Sequence, residues 1–258
     1  MPALPEAVLW DVDGTLAETE LQGHRRAFNR AFAEAGLPYR WDPSLYLQLL
    51  AISGGRERLR HFLTQVHGAS PSSDQVEALQ ASKTRHYTAL VAAGELQLRP
   101  GVRRLMAELA AAGVVQALVT TSGRRAVQAL LERQLPEHPH WLAFWICGEE
   151  VARKKPDPEA YRLALGQLAL GRLAVPAGRV LAVEDSANGV QAAAAAGLTV
   201  LVTRSASSAA EADAAFDPAA AVLDQLGEVA APLTVQRGPA CPGGQVTLSY
   251  LQQLLPAP

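Results

Sequence analysis

The chain has 258 residues, 49% of them hydrophobic, and a formal net charge of −2. This length suits one large α/β domain, or a core domain that carries a smaller one. The composition argues against a disordered chain or a protein that coats nucleic acid, and the lack of any run of about eighteen apolar residues argues against a membrane-spanning protein.

Residues 1–6 lack the basic and apolar regions of a secretory signal peptide, so we expect a cytoplasmic protein. We expect a monomer with no nucleic-acid partner and no membrane partner. Cys147 and Cys241 lie far apart and lack metal-ligand spacing, which favours buried small hydrophobic residues over a disulfide.

The first predicted element is a buried strand, the apolar run Ala7-Val8-Leu9-Trp10, which ends at two carboxylates. Asp11 and Asp13 are two residues apart, so their side chains point the same way along an extended segment. Their like charges repel each other unless a cation lies between them or one carboxyl keeps a proton. The pair suits magnesium-assisted phosphoryl chemistry; an ordinary turn at Asp13 and Gly14 is the alternative.

The next segment, residues 20–95, has helical spacing of apolar residues, as at Phe28 and Phe32, and contains no convincing strand. Turn-forming residues divide it at 36–38, 53–55 and 68–71. The pattern predicts an all-α insertion of about four helices.

After residue 101 the pattern alternates between helix and strand. Helices are predicted at 102–112, 125–135, 158–170 and 186–196, and strands at 114–119, 144–147, 179–183 and 198–202. Strands separated by helices predict an α/β fold, a parallel sheet with helices on both faces and with ligands at the carboxyl ends of the strands. Beyond about residue 220, glycines and prolines predict a loop or hairpin before a last helix at 249–255.

Polar residues follow two further predicted strands. Residues 120–123, Thr-Thr-Ser-Gly, offer hydroxyls and backbone amides that can hold a phosphate, and an ordinary helix N-cap is the alternative. Glu184 and Asp185 resemble cation ligands, although Asp185 or Ser186 capping the next helix is again an alternative. A rigid loop with Lys155 before Pro156 places a cation between prolines.

Together, the successive motifs DxDGT, hhhT, KP and hhhED resemble the haloacid dehalogenase (HAD) superfamily, across the whole core of the chain. The resemblance implies a Rossmann-like core and assigns Asp11 as the nucleophile that becomes an aspartyl-phosphate, and Asp13 as the general acid and base. It assigns Thr120 to the transferring phosphoryl group and Lys155 to the charge that Asp11 and the phosphate share. Thr121 and Ser122 are adjacent hydroxyls, so the assignment of Thr120 remains open by one position.

The same resemblance implies a Mg²⁺ cofactor. Its expected ligands are the carboxylate of Asp11, the backbone carbonyl of Asp13, and Asp185 with Glu184. A metal and a lysine supply the positive charge that a carboxylate needs before it can attack a dianionic phosphate.

The chain also resembles the β-phosphoglucomutase-like branch, and within it the CbbY-like phosphatases, through the helical insertion after the first motif and through Gly54-Gly55-Arg56-Glu57-Arg58 and Glu184-Asp185-Ser186-Ala187-Asn188-Gly189. In such enzymes the insertion is a cap that closes over the site. We therefore expect a core domain of residues 1–19 and 97–258 and a helical cap domain of residues 20–96. The expected substrate-binding residues are Glu18, His24, Gly54, Gly55, Arg56, Lys83, Thr121 and Ser122.

Arg56 is the first choice as the anchor for a second phosphate, with Lys83 reaching the same space. Glu18 is expected to bind sugar hydroxyls, and a helix N-terminal acid is the alternative. His24 is either a pocket residue or a structural one, because its spacing from Asp13 is one residue longer than in the phosphoglucomutases.

The resulting expectation is a Mg²⁺-dependent phosphatase that acts on a small phosphorylated sugar. The CbbY-like resemblance implies xylulose-1,5-bisphosphate as substrate and xylulose 5-phosphate as product. A phosphomutase with the same residues is the alternative, and a non-catalytic regulatory protein that kept the fold is a further one, disfavoured because all four motifs are intact.

Overall fold

The computed structural model describes residues 4–68, 70–170 and 175–256. The strands are β1 (Ala7–Trp10), β2 (Val115–Val119), β3 (Phe144–Ile146), β4 (Val180–Glu184), β5 (Thr199–Thr203), β6 (Ala221–Leu223) and β7 (Val235–Arg237). The helices are α1 (Arg25–Glu34), α2 (Pro43–Leu49), α3 (Gly55–His67), α4 (Ser73–Ala92), α5 (Val102–Ala111), α6 (Arg124–Gln134), α7 (His138–Trp141), α8 (Glu159–Leu170), α9 (Ala187–Ala195) and α10 (Leu248–Leu254), and a π-helical turn covers Glu20–His24.

The strands form one sheet in the order β3-β2-β1-β4-β5-β6-β7, parallel except for β7, which pairs antiparallel with β6. Strand β1 lies between β2 and β4, with Trp10 opposite Leu118 of β2 and Val183 of β4. The residues after these three strands therefore meet at one edge of the sheet, where parallel α/β folds bind their ligands. The expected α/β fold with a parallel sheet is confirmed.

Side chains of β1 alternate between the two faces of the sheet, as the pleat requires. Val8 and Trp10 join the hydrophobic cluster that α5, α6 and α10 cover, whereas Ala7 and Leu9 join the cluster under α8 and α9. Trp10 is fully buried, and its indole Nε1 donates to Gln116 Oε1 at 3.1 Å. This hydrogen bond satisfies the one polar atom of a large side chain at the centre of the core.

The helical insertion has a hydrophobic core of its own. Phe28, Phe32, Trp41, Leu59 and Leu63 are fully buried within it, on α1, α3 and the loop before α2. The four predicted helices are present as α1 to α4. A core that is separate from both faces of the sheet supports our proposal that residues 20–96 form a cap domain.

Two adjacent segments connect the insertion to the sheet. Ala17 forms an antiparallel bridge with Leu98, and Arg99 N donates to Leu16 O at 2.8 Å. The buried guanidinium of Arg99 donates to Gly14 O at 2.5 Å and to Thr203 O at 2.7 Å. Arg99 therefore ties the second connection to the loop that carries the first motif.

Every helix and strand predicted between 102 and 202, and the last helix, is present with ends that differ by at most one residue. The short elements α7, β6 and β7 were not predicted. Strand β7 and helix α10 form the predicted loop-and-helix tail, and Tyr250 and Leu251 of α10 are buried in the core.

Both cysteines are free, Cys147 fully buried and Cys241 partly buried, as expected. No helix within the described part of the chain has the length and apolar character of a membrane span.

Candidate active site

Asp11 is the first residue after β1, and a buried lysine contacts its carboxylate. Lys155 Nζ donates to Asp11 Oδ1 at 2.7 Å, to Glu184 Oε1 at 2.6 Å and to Val119 O at 2.8 Å. Burial alone lowers the pKa of Lys155, but Asp11 and Glu184 raise it more, so its net pKa lies above the usual value. Lys155, and not Lys154, supplies the cation at this carboxylate; Lys154 Nζ donates instead to Gly148 O at 2.7 Å.

Asp11, Glu184 and Asp185 form a buried acidic cluster, with one carboxylate oxygen of each within 4.8 Å of the others. Burial is the main cause that raises the pKa of Asp11 and of Asp185 well above the usual value. Repulsion from Glu184 and Asp13 adds to it for Asp11, and repulsion from Asp11 and Glu184 adds to it for Asp185. Glu184 Oε2 is buried without a hydrogen-bond partner. Three hard oxygen donors whose charge Lys155 compensates only in part are the ligand chemistry that a divalent cation of the Mg²⁺ type requires, so the residues present fit such an ion.

Gly14 makes room for this cluster. Its φ is +82°, and a Cβ at this position would lie 2.1 Å from Asp185 Oδ2. Only glycine therefore allows the turn after the first motif to pack against Asp185.

Asp13 lies within a shell of hydrogen-bond donors. Thr19 Oγ1 donates to Asp13 Oδ1 at 2.5 Å, His24 Nε2 lies 2.7 Å from the same oxygen, and Ser122 Oγ donates to Oδ2. Burial on its own raises the pKa of Asp13, but the charge of His24 and the hydrogen bonds from His24, Ser122 and Thr19 together lower it well below the usual value. Asp13 is thus held as a carboxylate in the absence of a bound anion.

His24 reaches Asp13 because a π-helical turn, Glu20–His24, precedes α1. Such a turn accommodates one extra residue in a helix, which accounts for the longer spacing seen in the sequence. The His24 ring stacks on Tyr87 at a centroid distance of 4.3 Å, and its Nδ1 lies 2.8 Å from Lys83 Nζ. Burial lowers the pKa of Lys83 to about 8. Asp13 and Lys83 thus orient the imidazole of His24 through its two ring nitrogens.

A cavity of about 490 Å³ opens between the sheet edge and the helical insertion. Asp11, Asp13, Lys155 and Asp185 line it on the sheet side. On the helical side its wall includes Glu20, Leu47, Leu50, Ala51, Ser53 and Arg58. A second cavity of about 110 Å³ is lined by Gly55, Arg56, Lys83, Thr121, Ser122 and Lys154, among others. Thr121 lines both cavities.

A family model describing haloacid dehalogenase-like hydrolases matches residues 5–197. The chain belongs to this family. The CbbY protein encoded on a plasmid of Cupriavidus necator is 43% identical over 233 residues, which cover 88% of each chain. Phosphoglycolate phosphatase of Rhodospirillum rubrum is 32% identical over 232 residues, 87% of this chain and 92% of that one.

Among solved structures, a variant of CbbY from Rhodobacter sphaeroides in complex with xylulose-(1,5)bisphosphate is 37% identical, with a TM-score of 0.78. The similarity covers 95% of this chain and all of that one, 100%. This HAD-like hydrolase is an enzyme of the phosphoric monoester hydrolase class, as the four motifs predict.

The structure separates the sequence-predicted residues of this HAD-like hydrolase into three groups. The first group meets at the sheet edge and consists of Asp11, Asp13, Lys155, Glu184 and Asp185. Three further residues join this group through Asp13, namely His24, Lys83 and Ser122. Gly55, Arg56 and Thr121 line the second cavity, and Gly54 is the N-cap residue before α3. Glu18 and Thr120 line neither of the two cavities.

Glu18 and Thr120 have other partners. Glu18 Oε1 lies 3.2 Å from Arg99 Nε, and 42% of its side chain is exposed on the side of the connecting segments. Thr120 is buried, and its Oγ1 accepts a hydrogen bond from Ser122 N at 3.1 Å. Arg56 is also half-exposed, paired with Glu77 at 2.8 Å. That Thr120 or Thr121 binds the phosphate stays a prediction. Of the two, Thr121 lies on the cavity wall.

Sequence reasoning missed four residues that contact the site. Thr19 donates to Asp13, Ser205 Oγ donates to Asp185 Oδ2 at 2.5 Å, and Glu20 and Arg58 line the large cavity. Arg58 lies inside the motif Gly54-Gly55-Arg56-Glu57-Arg58 described above, and Ser205 closely follows β5, so the strand-end rule offered a signal for it.

Proposed function

We propose that this HAD-like hydrolase is a Mg²⁺-dependent sugar phosphatase that works through an aspartyl-phosphate at Asp11, with xylulose-1,5-bisphosphate as substrate and xylulose 5-phosphate as product. The observation that carries the proposal is the meeting of Asp11, Asp13 and Lys155 with a cation-binding acidic cluster in one cleft. The sugar is suggested by the CbbY relative whose structure contains xylulose-(1,5)bisphosphate.

Asp11 is the nucleophile in this proposal. The ammonium of Lys155 holds one of its carboxylate oxygens at 2.7 Å and brings positive charge to the place where a phosphoryl group must approach. A carboxylate and a phosphate dianion repel each other, so an attack by Asp11 on phosphorus requires this charge. A hydroxyl at Thr120 or Thr121, at the end of β2, is proposed to bind the transferring phosphoryl group.

Asp13 is proposed to move the protons. A substrate dianion close to Asp13 adds negative charge and raises its pKa, which favours uptake of the proton that the leaving sugar oxygen needs. Once the sugar has left, the donors from Thr19 and Ser122 favour the carboxylate form again. Asp13 can then remove a proton from the water that hydrolyses the aspartyl-phosphate.

The proposed Mg²⁺ ligands are the carboxylates of Asp11, Glu184 and Asp185 and the backbone carbonyl of Asp13. Mg²⁺ bound there supplies positive charge that keeps Asp11 and Asp185 ionised and offsets the charge of the phosphate. Ser205 holds Asp185 Oδ2, and Lys155 holds Glu184 Oε1, so both side chains are oriented by this chain itself.

The helical insertion is proposed to read the substrate. The second cavity carries the cations Arg56, Lys83 and Lys154, which suit the phosphate that is not transferred. Gly54 has a φ of +89°, which other residues rarely adopt, and a Cβ there would lie 3.4 Å from Lys154 Cγ of the sheet-side loop, so glycine suits this start of α3.

The test is phosphate release from xylulose-1,5-bisphosphate with Mg²⁺, with the organic product identified. Asp11→Asn is expected to keep the fold by circular dichroism and to lower kcat at least about 10³-fold. Asp74→Asn, an exposed aspartate at the start of α4, is the matched control and should retain wild-type kcat. Near-wild-type activity of Asp11→Asn contradicts the proposal, and so does an isomeric sugar phosphate formed without free phosphate.

A further inference from the structure

A buried polar triad in the helical insertion has no part in the chemistry described above. Tyr46 Oη donates to Glu20 Oε2, and Arg58 Nη1 donates to Tyr46 Oη at 3.1 Å. Arg58 Nη1 lies 3.9 Å from Glu20 Oε2. Tyr46 is fully buried, Arg58 is 6% exposed, and 14% of the Glu20 side chain is exposed.

Two members of the triad form part of the wall of the large cavity, opposite the catalytic carboxylates. Glu20 and Arg58 line the same 490 Å³ space as Asp11 and Lys155. Arg58 is held rigidly, because its Nε donates to Leu49 O and Ile52 O, both at 3.2 Å. The guanidinium also lies over the Tyr46 ring, 5.3 Å from the centroid.

The charges in the triad favour one kind of ligand. A lone buried arginine attracts a phosphate, but the carboxylate of Glu20 beside Arg58 cancels that attraction and repels an anion. A carboxylate accepts hydrogen bonds from hydroxyl groups, and a guanidinium donates to hydroxyl or carbonyl oxygens. A preorganised acceptor and donor next to each other match two neighbouring oxygens of a polyol.

We propose that Glu20, Tyr46 and Arg58 form a hydroxyl-reading subsite that binds the polyol part of the substrate, with Glu20 and Arg58 in contact with it and Tyr46 as a positioning residue. The inference rests on the proposed function, since it assumes a sugar phosphate in the cleft. It moves the hydroxyl-binding role expected of Glu18 to Glu20, because Glu18 pairs with Arg99 outside the cavity.

The test compares two ligands that carry the same phosphates. Xylulose-1,5-bisphosphate and its hydroxyl-free analogue pentane-1,5-diyl bisphosphate are titrated calorimetrically into the Asp11→Asn protein with Mg²⁺. The measured ratio is the affinity for xylulose-1,5-bisphosphate divided by the affinity for the analogue. Glu20→Gln and Arg58→Lys are each expected to lower this ratio about tenfold or more. Glu95→Gln and Arg60→Lys, at exposed positions of the same helical insertion, are matched controls that should leave it unchanged.

An unchanged ratio in a folded Glu20→Gln protein, an equal loss for both ligands, or no binding of either ligand overturns the inference. If Glu20→Gln does not fold, Tyr46→Phe decides, because it removes only the hydroxyl that orients Glu20 and should lower the same ratio. Failure of the proposed phosphatase function gives a different result: the protein with intact Asp11 releases no phosphate, while the affinity ratio still reports on the triad.

Discussion

Two buried lysines belong to the candidate site, Lys155 in contact with Asp11 and Lys83 in contact with His24, and their surroundings are very different. Lys155, from the loop after β3, lies between Asp11 and Glu184, which raise its pKa. Lys83, from α4, contacts a histidine and the rings of Phe28 and Tyr87, and burial lowers its pKa to about 8. Both are at most 5% exposed, so the partners, and not the degree of burial, decide the sign of the shift.

The comparison extends to the two sides of the cleft. On the sheet side, the charged groups follow strand ends and compensate one another within hydrogen-bond distance. On the helical side, charged residues that are close in sequence differ in exposure and partners. Arg56 is half-exposed and paired with Glu77, whereas Arg58 is buried on the wall of the large cavity. The proposed catalytic groups lie at the ends of sheet strands, whereas helix packing decides which charged side chains reach the substrate cavity.

Among the variants that test this comparison, the largest effect is expected from breaking the Lys155 contacts. Lys155→Met leaves Asp11 and Glu184 buried without their cation, which should lower kcat about 10²–10³-fold and destabilise the fold by about 3 kcal/mol. Phosphate release and urea unfolding measure the two effects. Lys154→Met is the control with a smaller loss in both, and equal effects of the two variants would contradict the assignment of Lys155 to Asp11.

Lys83 should show the opposite stability effect. Its folded-state pKa of about 8 lies below the usual 10.5, so its charged form is disfavoured in the folded protein. Between pH 8 and pH 10.5 the Lys83 side chain is protonated in the unfolded chain but not in the folded one. The contribution of Lys83 to the free energy of unfolding therefore rises with pH over this range.

Lys83→Met is therefore expected to stabilise the protein at pH 7 by on the order of 1–3 kcal/mol while lowering activity through the lost contact with His24. Urea unfolding at pH 7 and at pH 10.5 measures the difference, which should shrink at the higher pH. Thr84→Val, whose hydroxyl donates within α4 to Gln80 O, is a control on the same helix without this pH dependence. Destabilisation by Lys83→Met at pH 7 would show that the lysine is compensated like Lys155.

The smallest effect is expected at Arg56. Its exposure and its pairing with Glu77 limit its contribution, so Arg56→Ala should reduce the preference for a bisphosphate over a monophosphate by at most about tenfold. The ratio of kcat/KM for xylulose-1,5-bisphosphate to that for a monophosphorylated pentulose measures this preference. Equal loss on both substrates, or no loss, would remove Arg56 from the proposed second-phosphate site.

Local sequence patterns predicted the sheet elements to within one residue because each apolar run ends at glycine, proline or a polar motif. They missed β6 and β7, which are three residues each and too short for a periodic pattern. They also missed Thr19, since a single hydroxyl next to a charged residue carries no signal until the loop conformation is known, and Ser205, which the strand-end rule could have found.

The sequence by itself determined the chemistry of the sheet edge. Asp11, Asp13 and Asp185 follow parallel strands, and parallel strands bring their carboxyl ends to one edge whatever the details of packing. Only the tertiary structure decided which members of the pairs Glu18 and Glu20, and Arg56 and Arg58, line the large cavity. Arg56 and Arg58 are two apart on α3 and point in nearly opposite directions, so the packing of this helix on the sheet selects one of them. Glu18 lies before the π-helical turn and Glu20 within it, so the path of the connecting segment decides the other pair.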